Sequence, residues 1–204
     1  IGAYLGAAFF VILGGVPFTP AVVLWINFLV QVPIAVALGF DKPSPGLMER
    51  KPRPLSQPVL SRSQWVRVII IGLLMTIGTL ILEATAEPAG ASVAATMGFV
   101  VFSLFNVVIA LSCRSETNSA FNRDILSDRH QLMLYGLALL FVFVPVELGL
   151  PRFLGLTSLN GNQWLICIAF AFALLLATEI VKVFLRRSKS HAAATPAAAA
   201  PAKA

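Results

Sequence analysis

Charge is scarce in this sequence. Asp, Glu, Lys and Arg make up 12% of its 204 residues, against about a quarter in a soluble domain. With 58% hydrophobic residues and a mean hydropathy of +0.87, an ordinary water-soluble fold is excluded. Two Cys and two His, without metal-ligand spacing, argue against a zinc or redox centre. Cys113 and Cys167 fall toward opposite faces of the membrane in the topology below, and both are expected to be reduced. No stretch alternates as the strands of a membrane barrel do, so the spanning segments must be helices, which satisfy their own backbone in lipid. The fold expected is therefore an all-α membrane protein, a bundle of about six transmembrane helices. The net charge of +6 would suggest nucleic acid in a soluble chain. Here the basic residues cluster between apolar runs and orient the protein in a bilayer, so no nucleic-acid partner is expected. The N-terminus lacks an initiator Met, a basic region and a cleavage site, so it is not read as a signal peptide, and the chain reads as cut from something longer.

What is present is a series of apolar runs. Residues 1–16 are Gly/Ala-rich and a little short for a span, with Gly2, Ala3, Gly6 and Ala7 at helical spacing. Residues 21–40 follow a Gly-Gly-Val-Pro breaker. Residues 41–67 are basic and rich in proline, which prevents a long helix. Spans are then expected at 64–82, with Trp65 as an interface anchor and Glu83 and Glu87 marking the outer end, and at 93–112. Residues 113–130 are polar and charged. The last spans are 131–150, ending with Pro145 and Glu147, and 163–185, where Glu179 and Lys182 are read as a neutralising pair. Residues 188–204 read as a disordered Ala/Pro-rich tail. Every basic-rich segment falls on one side of this arrangement, which places the 41–67 loop, the 113–130 loop and both chain ends in the cytoplasm.

The stretch 24–40, LWINFLVQVPIAVALGF, is apolar enough to span a bilayer yet carries Asn27, Gln31 and Pro33 in its middle. At 3.6 residues per turn the two amides share a face. Pro33 has no N–H, so the carbonyl of Leu29 loses its helical partner and the helix should kink or loosen there. Two readings are open: a kinked packing helix whose amides bond neighbouring helices, or a broken helix that presents oxygens to an ion. Polar groups in hydrocarbon seek protein partners. Asn27, Gln31 and the Leu29 carbonyl are therefore expected to face the helices of Ala3 and Asn106. Ser103 and Asn106, three apart, share a face of their own helix.

LWINFLVQVPIAVALGF followed by DKPSPGLMERKPR resembles the sixth membrane helix, and the loop after it, of type II P-type cation-transporting ATPases of the bacterial calcium-pump-like kind. TMGFVVFSLFN with CRSE resembles the eighth helix, and TSLNGNQWLICI leading to EIVKVFLRR the tenth. The resemblance covers residues 1–187 and makes them the C-terminal transmembrane domain of such a pump, with the first run as the end of the fifth helix. It implies that Asn27 stands at an asparagine ligand, that the threonine and aspartate after it fall on Val30 and Gln31, and that the fifth-helix glutamate falls on Ala3. The eighth-helix ligand falls on Asn106 in one register and on Ser103 in another. No carboxylate remains at mid-membrane, which argues against calcium, a cation usually held by several oxygens with carboxylates among them.

The resemblance further implies part of a cation-translocation path in a bacterial plasma membrane. The aspartyl-phosphate sequence DKTGT does not occur here, so ATP and Mg²⁺ would act only through cytoplasmic domains of a full-length pump, and no catalytic residue is assigned. The partners implied are the bilayer, an inorganic cation, the pump's N-terminal helices and its cytoplasmic domains. The alternative, of a different class, is a stand-alone pump remnant that acts as a non-transporting membrane scaffold.

Overall fold

In a computed structural model of the chain, the backbone is described for residues 2–13, 18–40, 62–113, 129–148 and 151–194. Residues 41–61 of the loop read at 41–67, 114–128 of the loop read at 113–130 and 195–204 of the tail read at 188–204 lie outside these residues. All the regular structure among them is helical. Helix α1 is Gly2–Ile12, α2 is Pro20–Trp25, a π turn covers Ile26–Gln31, and α3 is Val32–Gly39; α4 is Arg62–Ala86, α5 Ala91–Cys113, α6 Arg129–Glu147, α7 Pro151–Leu154 and α8 Gly161–Ala194. Five helical segments are long and apolar enough to cross a membrane: Pro20–Gly39, Gln64–Ala89, Ala91–Ser112, Arg129–Glu147 and Gly161–Val181. The remaining run, α1, is described over 11 residues, short of the ~20 that a bilayer needs.

Local chemistry explains the helix boundaries. Thr19 caps α2 by accepting a hydrogen bond from the Val22 N–H at 3.4 Å, and Pro20 occupies the first turn, where its missing N–H does no harm. At the start of α8, Gln163 Oε1 reaches back to accept from the Asn160 N–H at 2.7 Å, the return half of a capping box. Gly90 and Gly155 take positive φ in the two short connections between spans, a conformation that other residues reach only with strain. Two boundaries differ from expectation. α4 begins at Arg62, inside the segment read as loop. α8 continues to Ala194, past the tail boundary at 188; the Ala192–Ala194 run has the highest helix propensity of any residue type, which composition alone does not reveal.

α5 is the centre of the bundle. In its span 67% of residues are buried, against 33% or less in the other four. It packs against α4 and α8, and through a smaller contact against α6. The α4–α5 contact is close: a Cβ at Gly78 would come within 2.9 Å of the buried Phe105 ring. The outward faces are apolar, with Leu24, Phe28, Leu165 and Phe172 exposed, as lipid rather than water requires. α1 packs chiefly on α4, while α3 and the π turn lie against α6. The expectation that the polar groups of this segment face the helix of Asn106 is met by Gln31, while the side chain of Ala3 on α1 lies outside the described residues.

Candidate functional site: a π turn against helix α5

The site begins where Pro33 disturbs its helix. Pro33 is buried in the first turn of α3, and the residues just before it wind as a π turn, with each N–H bonding five residues back instead of four. π turns are rare and concentrate at functional positions. The turn ends on Gln31, half-buried, whose Nε2 donates to Asn106 Oδ1 at 3.3 Å. Asn106, 8% exposed, is itself oriented by its Nδ2, which donates to the Phe102 carbonyl at 2.8 Å. Three residues earlier on α5, Ser103 is 0% exposed, and its Oγ makes no hydrogen bond among the described residues. A buried hydroxyl left in that state is costly. About one turn along α5 from Asn106 there is thus an unused donor and acceptor.

The positions singled out in the sequence divide accordingly. Gln31 and Asn106 are brought together, and Ser103 lies about one turn from Asn106 on the buried α5. Leu29 is half-buried inside the π turn. Asn27 is half-buried, and its Nδ2 donates to the Val23 carbonyl of its own helix at 2.9 Å. Within a π turn, residues four apart no longer superimpose as they would in an α-helix, so face-sharing drawn from a 3.6-residue period does not carry over to Asn27 and Gln31. The donor set on offer is two amides, a hydroxyl and backbone carbonyls, all neutral oxygens. Among the described residues no group of three His, Cys, Asp or Glu could hold a metal ion.

Several residues that sequence reasoning passed over also matter. Glu83, expected to mark the outer end of its span, is 8% exposed, and its carboxyl group lies against Gly98 of α5, where a Cβ would come within 2.6 Å of Oε1. Glycine at 98 makes the room that admits the carboxyl between the helices. Glu179, expected to pair with Lys182, accepts from Ser112 Oγ of α5 at 3.4 Å; the Lys182 side chain lies outside the described residues. Trp25, the residue before the π turn, donates through Nε1 to the Phe141 carbonyl of α6 at 2.7 Å. That carbonyl is available because Pro145, four residues on, has no N–H to give it. The signal was present in the sequence: the rule that frees Leu29 by way of Pro33 frees Phe141 by way of Pro145. Cys167 is buried with a free thiol, and its Sγ donates across from α8 to the Met97 carbonyl of α5 at 3.8 Å.

Comparison with known proteins agrees with this architecture. A calcium-transporting ATPase of Listeria monocytogenes is 26% identical over 185 residues, 90% of this chain and 21% of that protein. Calcium-transporting ATPase 1 of Schizosaccharomyces pombe is 30% identical over 178 residues, 84% of this chain and 19% of its own length. Mouse calcium-transporting ATPase type 2C member 2 is 26% identical over 185 residues. The chain spans about a fifth of the length of these relatives. Residues 15–184 match the family described as cation transporting ATPase, C-terminus, and with its five membrane-length helices the chain belongs to that family, as a C-terminal membrane domain of a P-type cation pump.

Proposed function

We propose that this domain forms one wall of the pump's cation path, with Gln31, Asn106 and Ser103 as neutral oxygen ligands and Asn27 and the Leu29 carbonyl at its edge. One observation carries the reading: the π turn delivers Gln31 to Asn106 beside a buried hydroxyl that bonds nothing among the described residues. Polar groups at membrane depth are expensive, and their concentration at a broken helix is how ions are offered oxygens without water. ATP hydrolysis, with its Mg²⁺, belongs to cytoplasmic domains carried by the full-length pump, and this domain responds to them. The basic-rich 41–61 connection and the charged 114–128 connection face the cytoplasm, as does the C-terminal end, in a plasma membrane.

The relatives are named as calcium transporters. Here the amide of Gln31 supplies an oxygen but no negative charge, so a divalent ion is held firmly only where carboxylates arrive from helices outside this domain. In the full-length pump, Gln31→Leu is expected to abolish cation-stimulated ATP hydrolysis. Gln31→Asp is expected to raise apparent calcium affinity by restoring one charge at nearly the same depth. Cation titrations of ATPase activity in membranes read both effects. Unchanged stimulation in Gln31→Leu would overturn the assignment and favour the scaffold.

A further inference from the structure

We propose that Trp25 and Gln131 are positioning residues that hold the π turn open against α6 and so fix the rotational phase of Gln31. The proposal rests on the role just given to Gln31, but its geometry stands separately. A π turn accommodates one more residue than the α turn it replaces, and each residue advances an α-helix by about 100°. If the turn relaxed to α, everything beyond it would rotate by roughly that angle relative to everything before it, and Gln31 would leave Asn106. The π geometry is intrinsically the poorer one, so something outside the helix must impose it.

Two anchors on a single neighbouring helix do so, one on each side of the turn. Before it, Trp25 Nε1 bonds the Phe141 carbonyl at 2.7 Å, and the two rings meet edge to face with centroids 6.3 Å apart. After it, Gln131 Nε2 bonds the Ala37 carbonyl at 3.3 Å, with Phe40 stacked on His130 just beyond at 6.4 Å. Neither anchor competes with the helix ladder. Pro145 leaves the Phe141 carbonyl without its intrahelical donor, and Ala37 lies in the last turn of α3, where carbonyls lack partners within the helix. Since both anchors sit on α6, the segments before and after the turn cannot rotate against one another unless one anchor breaks. α6 touches neither Gln31 nor Asn106 through these bonds, yet it decides whether they meet.

Paired cysteines introduced on a Cys113→Ser, Cys167→Ala background test this in native membranes. Gln31→Cys with Asn106→Cys reports on the turn, and Gly78→Cys with Phe105→Cys reports on the α4–α5 contact away from it; the rate of oxidative cross-linking is measured for each. Trp25→Phe keeps the ring and removes the N–H, while Gln131→Leu keeps the shape and removes the amide. Each is expected to slow the first cross-link roughly tenfold, the equivalent of one buried hydrogen bond, and to leave the second unchanged. An unchanged first rate overturns the proposal, as does a first pair that fails to cross-link in the parent. A fall shared by both pairs also overturns it, because the anchors would then hold the bundle rather than the turn. The ion-path reading fails by a different result, unaltered cation stimulation in Gln31→Leu, so the two failures are distinguishable.

Discussion

Glu147 shows what a single carboxylate can do at the edge of a membrane domain. Its Oε1 accepts from Trp164 Nε1 at 2.9 Å and from the Leu159 N–H at 3.2 Å, clamping the end of α6 to the connection that leads into α8. The Trp164 ring also packs on Phe143, centroids 5.6 Å apart, so the clamp has an apolar half that does not depend on charge. Glu147→Ala should therefore lower the stability of the domain by about 1–3 kcal/mol, the cost of orphaning half-buried donors. Glu147→Gln keeps an acceptor oxygen in place and should cost a fraction of that. Thermal unfolding of the two variants in one detergent separates the cases; equal losses would mean that the charge, not the acceptor, is what matters. Glu83 is the instructive contrast. Both residues look alike in sequence, each a Glu near the end of an apolar run, but only the structure shows one carboxyl accepting bonds at the edge and the other set against Gly98 inside the bundle.

Elements were legible in the sequence wherever a backbone rule acts locally. The runs are long and apolar, so their helices follow from the need to satisfy every N–H and C=O in lipid. Pro33 disturbs its own helix by a rule that depends on nothing else. The form of the disturbance was not legible, because a π turn in place of a kink is decided by Trp25 and Gln131 docking on α6, contacts between residues more than ninety positions apart. The same limit holds for Asn106: it was marked as a polar group in hydrocarbon, but that Gln31 bonds it across the helices depends on how the helices turn. At the α4–α5 contact, Gly78 allows a close approach that a methyl group would prevent. Gly78→Ala gains about 1 kcal/mol of helix propensity but drives a Cβ into a Phe105 ring that is 1% exposed and has nowhere to go. Overpacking of this kind costs about 1–3 kcal/mol. A net loss of stability is expected, relieved in the double variant with Phe105→Leu; a stabilised single variant would show that the ring yields.

At the scale of the whole molecule, the arrangement of charge and the arrangement of helices constrain each other. Following the described spans in order, the chain crosses at 20–39, 64–89, 91–112, 129–147 and 161–181. The connections at 41–61 and 114–128 and the segment after 181 therefore share one side, and the short connections through Glu87–Ala89 and Pro151–Leu154 share the other. Of the fifteen Lys and Arg residues, only Arg152 belongs to the second side, together with Glu83, Glu87 and Glu147. Basic residues in short connections tend to remain on the cytoplasmic side, while acidic ones exert little influence, and the proposed orientation rests on this imbalance. A single cysteine at Ser56, on a background without Cys113 and Cys167, should resist a membrane-impermeant thiol reagent in intact cells and react once the membrane is permeabilised. A cysteine at Ser158, in the connection before α8, should behave in the opposite way, because that residue is exposed at the other end of the bundle. Labelling of the Ser56→Cys protein from outside intact cells would invert the topology. It would also place the 41–61 and 114–128 connections on the side opposite to the cytoplasmic domains that the proposed function assigns to the full-length pump.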